Sequence, residues 1–330
     1  MDGIMRKQSN GRRITRRESL RQHVKDRIDR EVRRAVAVGN VDSVQKYLDL
    51  GISPNETDCN GWTLLHLASS RGRERVLRIL LQQGGRLDVR DYIGGFTCLH
   101  YAAMHGRTRL ARLLLEYDTK CELVNIPSND GWMAMHVAAH YGRESFIRLL
   151  LQYQGNIDPL STKNTTPLQL AIIREKVSCV KLLLDHQADI DVQMGFPLRY
   201  AVIKGNNPLC KLLLIRGASA NLGRKDDGQA PLHLAALKND LESCRLLCTF
   251  GANVYGVNDE GKTALETYQE LIPEKGVCQE YLTEMSKHPR SLQDTCRHVI
   301  RQAMGRSRLQ HIDRLPFSTV MKNYISHKYS

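Results

Sequence analysis

The sequence predicts an all-α repeat solenoid that ends in a separate unit of three short helices. Three observations carry that expectation. A tetrad recurs along most of the chain: TLLH at 63–66, TCLH at 97–100, MAMH at 133–136, TPLQ at 166–169, FPLR at 196–199, APLH at 230–233 and TALE at 263–266, at steps of 34, 36, 33, 30, 34 and 33 residues. Each tetrad leads into a short apolar run rich in small residues, such as HYAAM or HLAAL, and a second amphipathic run such as VLRILLQQG or FIRLLLQYQ follows. After Pro289 the pattern stops and helical spacing of another kind takes over.

Taken in order, residues 1–28 form a basic N-terminal arm, partly disordered or helical. Residues 1–34 hold twelve Arg/Lys against five Asp/Glu, more than half of the chain's net charge of +13. Such an arm suits an acidic partner, nucleic acid or an import receptor, or serves as a solvated tail. Helical spacing runs from about Glu18 to Val38 and merges into a degenerate first repeat over 29–60. Within each later repeat, Thr suits a helix N-cap, and Pro suits the first turn, where its missing N–H costs nothing. Paired Ala residues let two short helices approach closely, and a Gly at the helix end takes the left-handed conformation. One such unit cannot bury its apolar face alone, so neighbours must stack. Two irregular steps stand out. The long one predicts an enlarged loop over Cys121–Asn129. The short one, at DVQMGFPLRY, predicts a missing hairpin.

A T-P-L-H-x-A motif at a period of about 33 residues resembles the ankyrin repeat. The resemblance covers 29–287 as about seven repeats and a weaker eighth over 262–287. It implies that His66, His100, His136 and His233 hydrogen-bond between repeats.

Chemistry of other kinds finds little support. The nine cysteines are scattered and contain no CxxC, which argues against a disulfide framework or a zinc ribbon and for buried thiols. HVAAH at 136–140 lacks the Glu of a hydrolytic zinc motif, since Val137 stands in its place. No phosphate loop or nucleophile elbow appears. We therefore expect no catalytic residue, no metal and no cofactor. The chain shows neither an apolar span long enough for a membrane nor a signal-type start, so the expected compartment is the cytoplasm, with the nucleus open to a basic tail.

Binding is the better expectation. Trp62, Phe96 and Trp132 directly precede three successive tetrads, and Arg71, Met104, His105, His140 and Tyr141 end the helices that follow. By the resemblance these positions face a partner, and aromatic and Arg side chains are the usual anchors of interfaces. The opposing reading is that the rings stack on one another and stiffen the hairpins.

In the last segment, Ser291 stands at an N-cap with Asp294 three residues on, and Leu292, Cys296, Val299, Ile300 and Ala303 fall on one helical face. Gly305 suits a stop. Ser291-Leu292-x-x-x-Cys296-x-x-x-Ile300 resembles the elongin-binding half of a SOCS box. Leu315-Pro316, Val320 and Tyr324-Ile325 resemble its cullin-binding half, with Ser318 where a second Pro is usual. On this resemblance, 288–330 is a SOCS box, and Ser291, Leu292, Cys296 and Ile300 meet elongin C. Leu315, Pro316, Val320, Tyr324 and Ile325 meet cullin-5. The whole chain is thus similar to the ankyrin repeat and SOCS box family. That similarity implies a non-catalytic substrate receptor of an E3 ubiquitin ligase, joined to elongin B, elongin C, cullin-5 and a RING-box protein. It would hold an unknown protein substrate for ubiquitination and proteasomal degradation. The alternative is an ankyrin scaffold whose basic tail binds nucleic acid or an acidic protein.

Overall fold

The computed structural model describes residues 16–120, 122–272, 274, 276–287 and 292–327; the side chains of 16–23, 292, 293, 307 and 310 lie outside that description. The chain divides into two compact units, Met1–Ala102 with Arg109–Leu123, and Ala103–Thr108 with Val124–Ser330. In chain order the helices are α1 (Arg16–Val38), α2 (Val41–Asp49), α3 (Leu64–Arg71), α4 (Glu74–Gln82), α5 (Cys98–Met104) and α6 (Thr108–Tyr117). There follow α7 (Ala134–His140), α8 (Glu144–Gln152), α9 (Pro167–Ile173), α10 (Val177–Asp185), α11 (Val192–Lys204) and α12 (Asn207–Ile215). The last are α13 (Pro231–Leu237), α14 (Leu241–Thr249), α15 (Ala264–Leu271), α16 (Val277–Lys287), α17 (Leu292–Gln310) and α18 (Thr319–Ile325). Among the described residues no strand forms; a single antiparallel bridge joins Val257 and Thr263.

In α3, α9 and α15 the tetrad builds the first helix through a reciprocal cap. Thr63 Oγ1 accepts from the His66 N–H, while His66 Nδ1 accepts from the Thr63 N–H at 3.1 Å. Thr166 with Gln169 and Thr263 with Glu266 repeat the arrangement, their side-chain oxygens accepting the cap N–H at 2.8 Å. The fourth tetrad residue is therefore a capping-box partner, which His, Gln and Glu all supply. Because His66 Nδ1 is an acceptor, Nε2 carries the proton, and it donates to the Phe96 carbonyl at 3.1 Å, in the next hairpin. His136 reaches the Thr165 carbonyl at 2.9 Å and His233 the Lys262 carbonyl at 3.1 Å in the same way.

Second helices carry the core. In α4, Val76, Leu77, Leu80 and Leu81 are buried. In α8 the buried set is Phe146, Ile147, Leu149 and Leu150. Six cysteines (98, 179, 210, 244, 248 and 278) are buried as well, whereas Cys59 and Cys296 are exposed and Cys121 lies outside the described residues. Burial pushes the Cys98 and Cys210 thiols up to about 12, which keeps them protonated and inert.

Both irregular steps have a local cause. The extra residues after α6 form a single 3₁₀ turn, Leu123–Asn125. At the short step, Gln193, Met194 and Gly195 all take left-handed backbone angles and stand in for the hairpin. Two non-glycine residues in that region cost about 1–2 kcal/mol each. The Gln193 side chain offsets part of this by donating to the Asn164 carbonyl at 2.8 Å. At the start of the chain, the described part of the basic arm is continuous with the first repeat, since α1 runs unbroken from Arg16 to Val38. Residues 1–15 lie outside the described residues.

Candidate functional site

In the first unit the aromatic residues ahead of the tetrads form one cluster. Trp62 lies over its own tetrad His66 with ring centroids 6.4 Å apart, and Phe96 over His100 at 5.2 Å. Tyr101 sits between them, 4.5 Å from Trp62 and 6.0 Å from Phe96. Each ring thus stacks on the histidine of its own repeat, and Trp62 and Phe96 remain half-buried. Three residues that sequence reasoning missed set this geometry. Tyr101 donates to Asp91 Oδ2 at 2.5 Å, and Asp91 Oδ1 accepts from the Gly94 and Gly95 N–H groups, which fixes the hairpin carrying Phe96. Arg33 of α1 donates to the Trp62 and Glu56 carbonyls and pairs with Asp58, which fixes the hairpin carrying Trp62. The local signal at Arg33 is only an i,i+4 pair with Asp29; the carbonyls it braces lie 23 and 29 residues away and leave no trace in the nearby sequence. Arg71 is exposed in the last turn of α3.

In the second unit, Trp132 lies over His136 at 6.2 Å and against His140 at 5.3 Å, and His140 meets Tyr141 at 4.9 Å. The Met104 carbonyl accepts from Arg143, and His105 is exposed. Burial, and then the charges of Arg174 and Lys176, push the His140 imidazole below its ordinary value. In the fifth tetrad Arg199 replaces the histidine. It is buried, donates to the Gln193 carbonyl at 3.1 Å, and leaves Nε and Nη1 without partners.

The C-terminal helices belong to the same unit. α17 is broken at Gly305, whose φ of 69° and ψ of 171° end one helical stretch and start another. A 3₁₀ turn over Ile312–Arg314 and α18 complete the segment. Ser318 Oγ accepts from the Met321 N–H at 3.2 Å, so the serine that replaces the expected second proline is the N-cap of α18.

One face of α17 is buried on the repeats. Arg301 is 9% exposed and donates to the Leu214 and Ile215 carbonyls at 2.8 and 3.2 Å, and to the Ile325 carbonyl at 2.8 Å. One guanidinium thereby satisfies the C-terminal ends of α12 and α18, where helix dipoles favour a cation. It also lies 5.2 Å from the Phe250 ring centroid. Burial, then the neighbouring Arg297 charge, bring Arg301 down to about 10, so it stays charged at neutral pH. His298 sits so close to Gly251 that a Cβ there would collide with its ring, and Arg306 crosses Gly217 and pairs with Asp189 and Asp191. A cavity of about 290 Å³ remains between α17 and these turns, lined in part by Phe250, Arg301, Gln302 and Leu309.

The opposite face of α17 is open. Cys296 is exposed and Val299 is 55% exposed, with Ala303 exposed and Ile300 half-buried on the same helical surface. Ser291 and the Leu292 side chain lie outside the described residues. Of the second group, Pro316 and Val320 are exposed, with Phe317 and Met321 beside them, and Leu315 is half-buried. Tyr324 lies under the Arg297 guanidinium at 4.4 Å, and Ile325 is 1% exposed, a core residue of the segment.

Comparison with known proteins agrees with this architecture. A family model for ankyrin repeats matches residues 32–125, 119–194 and 198–268, and the SOCS box model matches 288–326. Mouse ankyrin repeat and SOCS box protein 9 is 31% identical over 170 residues, 50% of this chain and 56% of that protein. Human ankyrin repeat and SOCS box protein 11 is 31% identical over 163 residues, 48% of each. The match thus spans about half the length of these curated relatives. The crystal structure of the human ASB11 ankyrin repeat domain is similar with a TM-score of 0.55 and 28% identity, covering 69% of this chain and 99% of that one. Repeat by repeat and box included, this chain belongs to the ankyrin repeat and SOCS box family.

Proposed function

We propose that this protein is the substrate-recognition subunit of a cullin-RING E3 ubiquitin ligase. In this reading α17 binds elongin C within the elongin B–elongin C pair, and the Leu315–Tyr324 segment meets cullin-5 carrying a RING-box protein. The observation that carries the reading is the two-faced character of α17. Arg301, His298 and Arg306 tie one face to the repeats, while Cys296, Val299 and Ala303 leave an apolar stripe open on the other. An open apolar stripe on a docked helix favours a partner helix or groove. Exposed Val320, Phe317 and Met321 offer a second apolar surface to the cullin. Buried Ile325 holds α18 to α17 and supports that surface from behind. Each unit would offer the target its own residues, Trp62, Arg71 and Phe96 in the first and Met104, His105, Trp132, His140 and Tyr141 in the second. The protein's contribution to catalysis would then be proximity, bringing target lysines to a ubiquitin-loaded enzyme.

The test is co-expression with elongin B and elongin C followed by size-exclusion chromatography. A stoichiometric ternary complex is expected for the natural chain and its loss for Leu292→Asp, with the repeats still folded by circular dichroism. A complex that survives Leu292→Asp removes the assignment of α17 as the elongin helix.

A further inference from the structure

The repeats of the second unit carry a second stripe, defined by register rather than by any single residue. Aligned on the tetrad, the residue that ends or follows the first helix is Tyr141 after α7, Arg174 after α9, Lys204 at the end of α11 and Lys238 after α13; at α15 the column ends with Leu271, preceded by Glu270. The preceding column is His140, Ile173, Ile203 and Leu237. α7 packs against α9, α9 against α11 and α11 against α13, so the four ends are consecutive neighbours. All four residues of the first column are exposed. In the second, Ile173 is 37% and Ile203 43% exposed, more than stacking alone requires of a branched apolar side chain. Among residues 140–142, 173–175, 203–205 and 237–239, Glu175 is the one acid.

A neighbouring set of cations has a structural use that, within the stripe, Lys238 alone shares. Arg143 donates to the Met104 carbonyl, and Lys176 runs over Gly142 so closely that a Cβ there would lie 2.8 Å from its Cδ. Those side chains cover the C-terminal ends of preceding first helices. Of the stripe itself, Lys238 also reaches the Ile203 carbonyl and Lys204 lies 5.6 Å from the Tyr200 ring centroid. The Arg174 charge reaches His140, whose imidazole it helps to push down, and Arg174 makes no ion pair among the described residues.

We propose that this stripe is a docking site for an acidic protein segment that carries apolar side chains, its carboxylates over Arg174, Lys204 and Lys238 and its apolar groups against Ile173, Ile203 and Tyr141. The proposal rests on the reading of the repeats as a substrate-holding face and names the chemistry of what they hold. Charge complementarity selects an acidic partner. The apolar column selects a peptide over a nucleic acid, because nucleic acid recognition asks for arginine forks and flat aromatic platforms, and Ile173 and Ile203 supply neither.

The probes are three fluorescein-labelled ligands of equal length: a Glu/Leu peptide, a Lys/Leu peptide and a single-stranded oligonucleotide. Fluorescence anisotropy with the full chain is expected to show binding of the Glu/Leu peptide alone, weakening with salt. The triple variant Arg174→Glu/Lys204→Glu/Lys238→Glu should weaken it at least tenfold, as should Ile173→Ser/Ile203→Ser to a smaller degree. A control reversal on a second helix, Arg148→Glu, should leave it unchanged. Arg174→Ala/Lys204→Ala/Lys238→Ala, a milder change, should also lose most binding if the reversal perturbs the fold. Equal loss in the control, equal binding of the two peptides, or tighter binding of the oligonucleotide would each overturn the proposal. Elongin binding is measured apart from it. If elongin binds and the acidic peptide does not, the stripe fails and the ligase reading stands. If the peptide binds and elongin does not, the stripe serves a protein with another task.

Discussion

The imidazole of His66 is occupied by two backbone groups at once, the Thr63 N–H at Nδ1 and the Phe96 carbonyl at Nε2. It is 1% exposed, so neither backbone group has water as a substitute partner. Replacing it with leucine strands the Thr63 N–H, at about 1–3 kcal/mol, and takes from the Phe96 carbonyl one of its two partners, the other being the Asp91 N–H. Glutamine is a different matter, because Gln169 already caps Thr166 in the fifth repeat. His66→Leu is therefore expected to lower stability by about 2–4 kcal/mol and His66→Gln by about 1 kcal/mol or less. Urea unfolding followed by circular dichroism compares the two, and equal losses would remove the capping account.

At the level of the repeated element, the tetrad histidines form a titrating set. Burial holds His66, His136 and His233 below their ordinary value, with the carbonyls they donate to pulling partly the other way. His327, stacked on Phe250 and 5% exposed, is brought down to about 3, first by burial and then by Arg301 and Arg297. An unfolded imidazole titrates near 6.5. Below that pH the unfolded chain binds protons that the folded repeats refuse, so stability falls as pH drops from about 6.5 toward the folded values. Each such site contributes a slope of up to about 1.4 kcal/mol per pH unit. The melting temperature is expected to be lower at pH 5 than at pH 7.5. Replacing His66, His136 and His233 with Gln should flatten the dependence. An unchanged slope in that variant would show that the tetrad imidazoles are not its source.

At the largest scale, the second unit is held together by an unlike pair, ankyrin helices and a C-terminal box, and Arg301 is the joint. Removing it orphans the carbonyls of Ile215 and Ile325 and takes one partner from the Leu214 carbonyl, which keeps the Gly217 N–H, although losing a buried charge offsets part of the cost. Arg301→Met is expected to destabilise the unit by about 2–4 kcal/mol. Truncation after Lys287 also uncovers Phe250 and the Gly217 and Gly251 turns. Hydrogen exchange in α12 and α14 should accelerate in both variants, and unchanged protection would mean that the box adds nothing to the stability of the repeats beneath it.

By itself the sequence determined the periodic part of this protein. Period, capping residues and the positions of buried leucines follow from interactions within four residues or between adjacent copies of one motif, and a single chain displays those directly. The SOCS box was legible as a resemblance, carried by a helical face with spaced Leu, Cys and Ile. Only the tertiary structure decided which face of α17 is buried, because Arg301 finds its carbonyl partners 24, 86 and 87 residues away. Likewise, Arg33 and Asp91 look like ordinary surface charges until the hairpins they brace are in place. The stripe of Arg174, Lys204 and Lys238 lies between these cases: its residues recur in register, but stacking brings them side by side. Local chemistry repeats along a chain and can be read there, whereas a partner supplied by a distant segment has no local trace.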